Sequence, residues 1–277
     1  MIRKLGLSSC GKKSLTPACL TQYKEEGLDA LEISCLPFDA LDFAALAKSC
    51  QSSGIELWSY HLPFLPFETN NIASLDREIR KKTVEEHSES IKKAVSFGMR
   101  NIVIHPSGEP NRPENRAEQL KGCKDCLAAL AEICEHEGAV LAVEDLPRTC
   151  LGNSSEELLD LLSCDDRLKI CFDTNHILDE DLHHFAQAIA GKIQTVHISD
   201  YDFIDERHWL PGEGKIDWKT LLADLDAANY RGPFLYEVGF APEKTIKRRD
   251  LTVKDVARNK EEREKGRPLT VLGKPLV

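Results

Sequence analysis

Short apolar runs alternate with longer segments of helical periodicity along most of the chain. The runs are continuous rather than alternating, as in residues 102–104 and 140–143, which indicates strands buried on both faces. Helical segments begin at caps such as Ser154 and end at glycines such as Gly138. Repeated strand–helix units of this kind predict a parallel sheet covered by helices.

Eight such units predict an α/β fold, a single (β/α)8 TIM barrel, as one domain over residues 1–277. A barrel of this type takes about 250 residues. Residues from about 241 to 277 are expected to form a closing helix and a C-terminal tail. An open, doubly wound sheet is the alternative, but it usually carries a glycine fingerprint after an early strand. Here the first strand leads into Ser8-Ser9-Cys10-Gly11.

Side chains that can bind a metal or move a proton stand at the ends of seven of these runs. They are Glu32, His61, His105, Glu144, Asp173, His197 and Glu237. A closed parallel barrel brings the C-terminal ends of all its strands to one rim, where the active site lies. The repeated placement therefore predicts a site built from strand ends.

Four of these residues end the last four strands, and they suit a metal ion. Neighbouring strands lie about 4.8 Å apart, so Glu144, Asp173, His197 and Glu237 can converge on one cation. Three carboxylates and one imidazole favour Mn²⁺, Mg²⁺, Co²⁺ or Fe²⁺, and Zn²⁺ at low coordination number. The alternative is that these acids are structural.

A second set of polar residues is expected on the same rim: His61, His105, His176, Glu206 and His208. Asp173 and His176 are three residues apart just past a strand, which brings them to one side of a turn. Glu206 and His208 precede Pro211-Gly-Glu-Gly214, whose glycines are expected to permit tight turns beside a ligand. Glu32 fits neither set, so we interpret it as structural or as supporting a ligand from behind.

The formal net charge of −10 and the pI of about 5.5 disfavour nucleic acid as a partner. The loops after the first two strands, Ser8 to Ser14 and Cys35 to Asp39, offer only Lys12 and Lys13 as cations. Basic residues at 247–249 and 258–267 interleave with glutamates and predict a solvated helix.

The chain begins without a signal-type apolar segment and has no run approaching the about 18 apolar residues of a membrane span. Its ten cysteines are therefore expected to be free thiols of a cytoplasmic protein, with no membrane partner. Homo-oligomers would be ordinary for such a barrel.

The motifs FDTNH, VHISD and ERHWLPGEGKIDW, together with the strand-eight glutamate, resemble the xylose-isomerase-like TIM barrel superfamily. That superfamily contains sugar-phosphate isomerases and epimerases, ketose 3-epimerases and the endonuclease IV type of AP endonuclease. The resemblance covers nearly the whole chain, from the first strand to Glu237. Its combined motifs are specific for the superfamily and much less so for the reaction.

The resemblance implies roles for individual residues. Glu144 and Glu237 would bind a divalent metal and also act as catalytic acid and base, and Asp173 and His197 would complete the metal site. His176 matches a histidine that contacts substrate oxygen. The endonuclease IV relatives hold three zinc ions, and the positions that match their further ligands are His61, His105, His176, Glu206 and His208. In a sugar enzyme the substrate-binding residues would be His61, His105, His176, Arg207 and His208.

The sequence thus predicts a metal-dependent isomerase or epimerase of a sugar, keto-sugar or sugar phosphate. It would act through an enediolate, with two glutamates as acid and base. A lyase or dehydratase acting on a keto-sugar would use the same enolate chemistry. The alternative from another class is phosphodiester cleavage at abasic DNA by a multi-zinc cluster. A barrel that only binds a ligand would leave the acid pair unexplained.

Overall fold

The computed structural model describes residues 3–10, 15–34, 42–242 and 244–277. Lys12, Lys13 and the loop from Cys35 to Asp39, expected near the rim, lie outside these ranges.

Eight parallel strands form the predicted barrel, with neighbours in the order β7-β6-β5-β4-β3-β2-β1-β8. A bridge between Ile198 and Tyr236 joins the two outermost strands and closes the ring. The strands are β1 (Leu5–Ser8), β2 (Ala30–Ser34), β3 (Glu56–His61), β4 (Asn101–Ile104), β5 (Val140–Glu144), β6 (Lys169–Asp173), β7 (Ile193–His197) and β8 (Phe234–Tyr236).

Helices follow the strands and surround the barrel. They are α1 (Pro17–Glu25), α2 (Phe43–Ser53), α3 (Arg77–Ser96), α4 (Arg116–Glu137), α5 (Ser155–Leu162), α6 (Leu182–Ala188), α7 (Trp218–Ala227) and α8 (Val253–Glu264). The expected caps are present: the Ser154 side chain accepts a hydrogen bond from the Glu157 N–H, and Gly138 ends α4 in the left-handed conformation at φ 74°. None of the helices in the described ranges combines the length and the apolar character that a membrane crossing requires.

The C-terminal segment differs from the sequence expectation of a solvated helix and tail. Two short strands, β9 (Ile246–Lys247) and β10 (Lys274–Pro275), pair antiparallel beside α8. Arg248 and Arg263 are buried. The Arg263 guanidinium lies over the rings of Trp218, Phe234 and Tyr236, because α8 closes the barrel wall next to β8. The prediction that these basic residues are solvated was therefore wrong for both arginines.

His87, on the inner face of α3, is expected to make stability depend on pH. Its side chain is buried, and burial, with a smaller contribution from the charge of His61, lowers its pKa to about 4 from 6.5. The unfolded chain takes up this proton near pH 6.5 and the folded chain only near pH 4. The contribution of neutral His87 to the free energy of unfolding is therefore fully present above pH 6.5. It is lost as the pH falls towards 4, and the loss amounts to about 3 kcal/mol.

Urea unfolding of the wild type and of His87→Leu at pH 7.5, 5.5 and 4.5 measures this effect. The stability difference between the two proteins should shift in favour of the variant as the pH falls. A difference that stays constant over this range would show that His87 is protonated equally in both states.

Candidate active site at the C-terminal rim of the barrel

Glu144, at the end of β5, lies at the centre of the rim. Its Oε2 is 2.9 Å from His61 Nε2 and 3.3 Å from His105 Nε2, and its Oε1 is 2.9 Å from His197 Nδ1. These imidazoles come from the ends of β3, β4 and β7. The structure therefore brings together residues of both predicted sets on one carboxylate.

The four residues predicted to share a cation lie together, and His197 contacts each of the other three. Its Nδ1 is 2.8 Å from Glu237 Oε2 and 3.7 Å from Asp173 Oδ2, in addition to its contact with Glu144. One ligand atom from each of the four residues lies within 4.8 Å of the others, and all four side chains are buried.

Glu32 lies on the opposite side of His197, in an ion-pair contact whose two facing atoms do not meet the geometry of a hydrogen bond. Glu32 Oε1 is 3.0 Å from His197 Nε2, and its Oε2 accepts a hydrogen bond of 2.7 Å from the Ser59 hydroxyl. A carboxylate on the far nitrogen of a ligating histidine orients the ring and raises its basicity. This contact agrees with the sequence interpretation of Glu32 as a supporting residue.

A third group of side chains lies beside the first two. Glu206 Oε1 is 2.9 Å from His208 Nε2 and 3.6 Å from His176 Nε2. His176 Nε2 is also 3.7 Å from Asp173 Oδ2, so the three-residue spacing brings this pair to one side as expected. The Asn175 side-chain oxygen accepts hydrogen bonds from the backbone N–H groups of Arg207 and His208, which ties this loop to the end of β6.

The glycines after His208 form a tightly packed turn. A Cβ on Gly214 would collide with the Asp200 carboxylate and the backbone of Tyr201, and Gly212 adopts φ 97°. Asp200 accepts hydrogen bonds from the Gly212 N–H and the Trp218 indole. The close approach that Gly214 permits is thus to Asp200 and Tyr201, and the expected place of this turn beside a ligand stays a prediction.

Charges at the rim shift several pKa values. Burial raises the pKa of Glu144, but contacts with the surrounding imidazoles outweigh it and hold the pKa well below its usual range. The pKa of Glu237 is likewise lowered to about 2, chiefly because His197 outweighs burial. Burial raises the pKa of Asp173 to about 6. Both glutamates are therefore ionised at neutral pH and can accept a proton.

The donor set fits a divalent cation. Asp173 Oδ2 is buried without a hydrogen-bond partner, although it faces two imidazoles. An unsatisfied buried carboxylate oxygen is costly, and a cation at this point would satisfy it. Two further groups have ligand atoms within 4.8 Å of one another: His61 with His105 and Glu144, and His176 with Glu206 and His208.

A cavity of about 160 Å³ opens directly beside these groups. It is smaller than the about 300 Å³ at which drug-sized pockets begin, so its dimensions suit a small molecule. Its wall includes Phe64, which stacks on His105 with ring centroids 4.1 Å apart. A wider groove of about 650 Å³ lies at the other end of the barrel, by the first residues of β3 and β4, away from this chemistry. The cavity is lined by Phe64, Phe67, His105, Ser107, Glu109, Leu146, Pro147, Arg148, Cys150, His176 and Glu206.

Sequence reasoning missed two contributors to the site. Phe64 forms part of the cavity wall, and its only sequence signal is its place three residues after His61. Asp145 accepts a hydrogen bond from the Asp173 N–H at 2.9 Å, and its backbone oxygen is 2.8 Å from His176 Nδ1. Its position directly after Glu144 was the available signal.

Two arginines near the rim are bound by other parts of the protein. Arg207 donates from Nε to Asp202 at 3.0 Å and lies over Trp209, so its predicted contact with substrate stays a prediction. Arg116 donates hydrogen bonds to Glu157 and to backbone oxygens of the loop after β5, so its guanidinium holds that loop in place.

Known proteins resemble this chain over most of its length. An uncharacterised protein of Methanocaldococcus jannaschii is 31% identical over 176 residues, and a probable endonuclease 4 of Thermoplasma acidophilum is 23% identical over 192 residues. The matches cover 60% and 63% of this chain and 60% and 64% of those two relatives. The chain thus aligns with about three fifths of the length of these relatives.

A solved structure is similar over nearly the whole chain. The crystal structure of a D-tagatose 3-epimerase-like protein is 26% identical, has a TM-score of 0.80, and covers 95% of this chain and 96% of its own. Residues 20–257 match the family described as xylose isomerase-like TIM barrel. Because that match spans well over half of the 277 residues and the fold is a closed parallel barrel, the chain belongs to the xylose isomerase-like TIM barrel family.

Proposed function

We propose that this protein is a metal-dependent isomerase or epimerase of a sugar or keto-sugar, with Glu144 and Glu237 as its catalytic acid and base. The observation that carries the proposal is that both carboxylates reach the same nitrogen of His197, at 2.9 and 2.8 Å. Two ionised glutamates therefore approach one point from the ends of different strands. Glu144 lies 3.3 Å from His105, which lines the cavity of small-molecule size.

The buried group of Glu144, Asp173, His197 and Glu237 would hold the cation. Its oxygen-rich composition suits Mn²⁺, Mg²⁺, Co²⁺ or Fe²⁺, and Zn²⁺ at low coordination number. When bound there, the cation would supply Lewis-acid chemistry: it would polarise a carbonyl oxygen and an adjacent hydroxyl and so make the neighbouring C–H bond more acidic.

The residues of the chain then move the proton. One ionised glutamate takes the proton from the carbon next to the carbonyl, and the C–H electron pair passes to the carbonyl to give an enediolate. The other glutamate, which has to take up a proton before this step, gives that proton to carbon. His105 and His176, which line the cavity, can hold substrate hydroxyls. The likeness to a D-tagatose 3-epimerase-like protein over 95% of the chain supports this choice of substrate.

Proton exchange in D₂O tests the proposal before the product is known. With Mn²⁺ present, the wild type is expected to incorporate deuterium at the carbon next to the carbonyl of at least one ketose, followed by NMR. Removal of the metal with EDTA should abolish the exchange, and added Mn²⁺ should restore it. Exchange that survives full metal removal would contradict metal dependence, and a product lacking the elements of water would indicate a dehydratase instead.

A second candidate function is phosphodiester cleavage at abasic DNA. It is favoured by the two further histidine–carboxylate groups, which would provide places for more than one zinc ion, and by the relative called a probable endonuclease 4. The net charge of −10 opposes it, because phosphate contacts need basic residues. Nicking of an abasic duplex at low salt by zinc-loaded protein, with about three zinc ions per chain by elemental analysis, would establish this activity instead.

A further inference from the structure

A single arginine at the mouth of the cavity is surrounded by carboxylates. Arg148 follows β5 and has a left-handed backbone at φ 55°. Its Nε and Nη2 donate to Glu109 at 3.0 and 2.6 Å, and its Nη1 donates to Asp205 at 2.9 Å and lies 3.0 Å from Glu206 Oε2. Three carboxylates therefore face one guanidinium, and they come from the loops after β4 and β7.

Arg148 is the one arginine or lysine among the described residues that line this cavity, while Glu109 and Glu206 line it as well. A guanidinium has five N–H donors in a planar fork. Three of these donate to Glu109 and Asp205, and Nη1 also lies 3.0 Å from Glu206 Oε2, so most of the fork is already used. With three acids and one base, this group carries a formal charge of −2.

A phosphate group is recognised by free N–H donors, often by two parallel N–H groups of one arginine guanidinium. To bind Arg148, a phosphate would have to displace Glu109 and would then face the carboxylates of Asp205 and Glu206. Four of the side chains that line the cavity are aromatic or aliphatic: Phe64, Phe67, Leu146 and Pro147. An aromatic and aliphatic wall suits the C–H face of an uncharged sugar.

We propose that the site selects a sugar without a phosphate or other anionic group, and that Glu109 determines this specificity by occupying Arg148. The inference rests on the proposed function and narrows its substrate to an uncharged ketose or keto-glycoside of about monosaccharide size. Glu109 belongs to none of the histidine–carboxylate groups, so its role can be tested apart from the proton transfer.

Glu109→Gln is the test, because glutamine keeps the size of the side chain and removes its charge. Deuterium exchange is compared for ketoses with and without a 6-phosphate, such as D-tagatose and D-tagatose 6-phosphate. The wild type is expected to favour the free ketose in kcat/KM at least tenfold. Glu109→Gln should move this ratio about tenfold towards the phosphorylated sugar, and adding Arg148→Gln should cancel the gain. Glu114→Gln, a change at an exposed acid in the same loop, is the matched control and should leave the ratio unchanged.

Sulfate binding, followed by calorimetry on protein of equal Mn²⁺ content, gives a readout independent of turnover. Glu109→Gln should bind sulfate at least tenfold more tightly than the wild type, with Arg148→Gln abolishing the difference. A wild type that prefers the phosphorylated ketose overturns the inference while leaving the proposed function intact. If that preference for the phosphorylated ketose is lost in Lys12→Ala or Lys13→Ala, the cation that binds the phosphate is a lysine outside this cavity. Equal sulfate affinity in both proteins also overturns the inference, whereas absence of exchange with every ketose overturns the proposed function.

Discussion

Replacing Glu144 or Glu237 by glutamine is expected to slow proton exchange at the substrate carbon by about 10²- to 10⁴-fold, the usual contribution of a positioned acid or base. Glutamine retains the shape of the side chain but can neither accept the proton nor return it. The two substitutions should both be severe, because each carboxylate has its own proton to transfer and both approach His197 Nδ1.

Exchange in D₂O, together with the metal content of each variant, measures this effect. Glu118→Gln provides the control, since Glu118 is an exposed acid at the start of α4. Metal content separates a lost ligand from a lost base: slow exchange at full metal content indicates proton transfer. If either variant keeps most of the wild-type exchange rate, the two-glutamate scheme is wrong.

Replacing Arg248 by methionine is expected to destabilise the protein by about 3–5 kcal/mol, as is usual when one partner of a buried ion pair is removed. Arg248 Nε lies 3.4 Å from Glu213 Oε2, and both side chains are almost fully buried. The guanidinium also donates to the backbone oxygens of Gly239 and Phe240, just after Glu237. Without it, the Glu213 charge remains buried and unpaired.

Urea unfolding of Arg248→Met measures this loss. Arg249→Met is a neighbouring control, because the Arg249 side chain is more than half exposed and an exposed ion pair such as that with Asp255 contributes little to stability. The double variant with Glu213→Gln should recover part of the loss, since the unpaired charge is then gone. A loss below about 1 kcal/mol in Arg248→Met would show that water reaches this pair.

The barrel and the strand-end residues were predictable from the sequence for a physical reason. In a parallel barrel, the residue at the end of each apolar run lies at the C-terminal rim. Glu144 and His197 could therefore be predicted to lie on the same rim before their contacts were known. The same reasoning separated Glu32 from the ligand candidates. Its partner, the far nitrogen of His197, required the structure, because a contact across the barrel leaves no local pattern.

The buried arginines could not be predicted. Arg248 and Arg263 stand in basic, polar stretches that are usually solvated, and their burial depends on Glu213 and on the ring of Trp218, distant in sequence. The partners of Arg148 were hidden for the same reason, since Glu109 and Asp205 lie 39 and 57 residues away. Sequence periodicity identifies elements and their ends, but charge pairing between loops depends on how the elements pack.

Glu144 is shared by three imidazoles, so the groups that contact its two oxygens do not bind protons or cations independently. Its two oxygens face different histidines, Oε2 towards His61 and His105 and Oε1 towards His197. Binding of a proton or cation at one side must therefore change the affinity at the other, and by thermodynamic reciprocity the effect is equal in both directions. A substitution of His61 should alter the cation affinity of a group to which His61 does not belong. The rim thus behaves as one linked titrating unit rather than as independent sites.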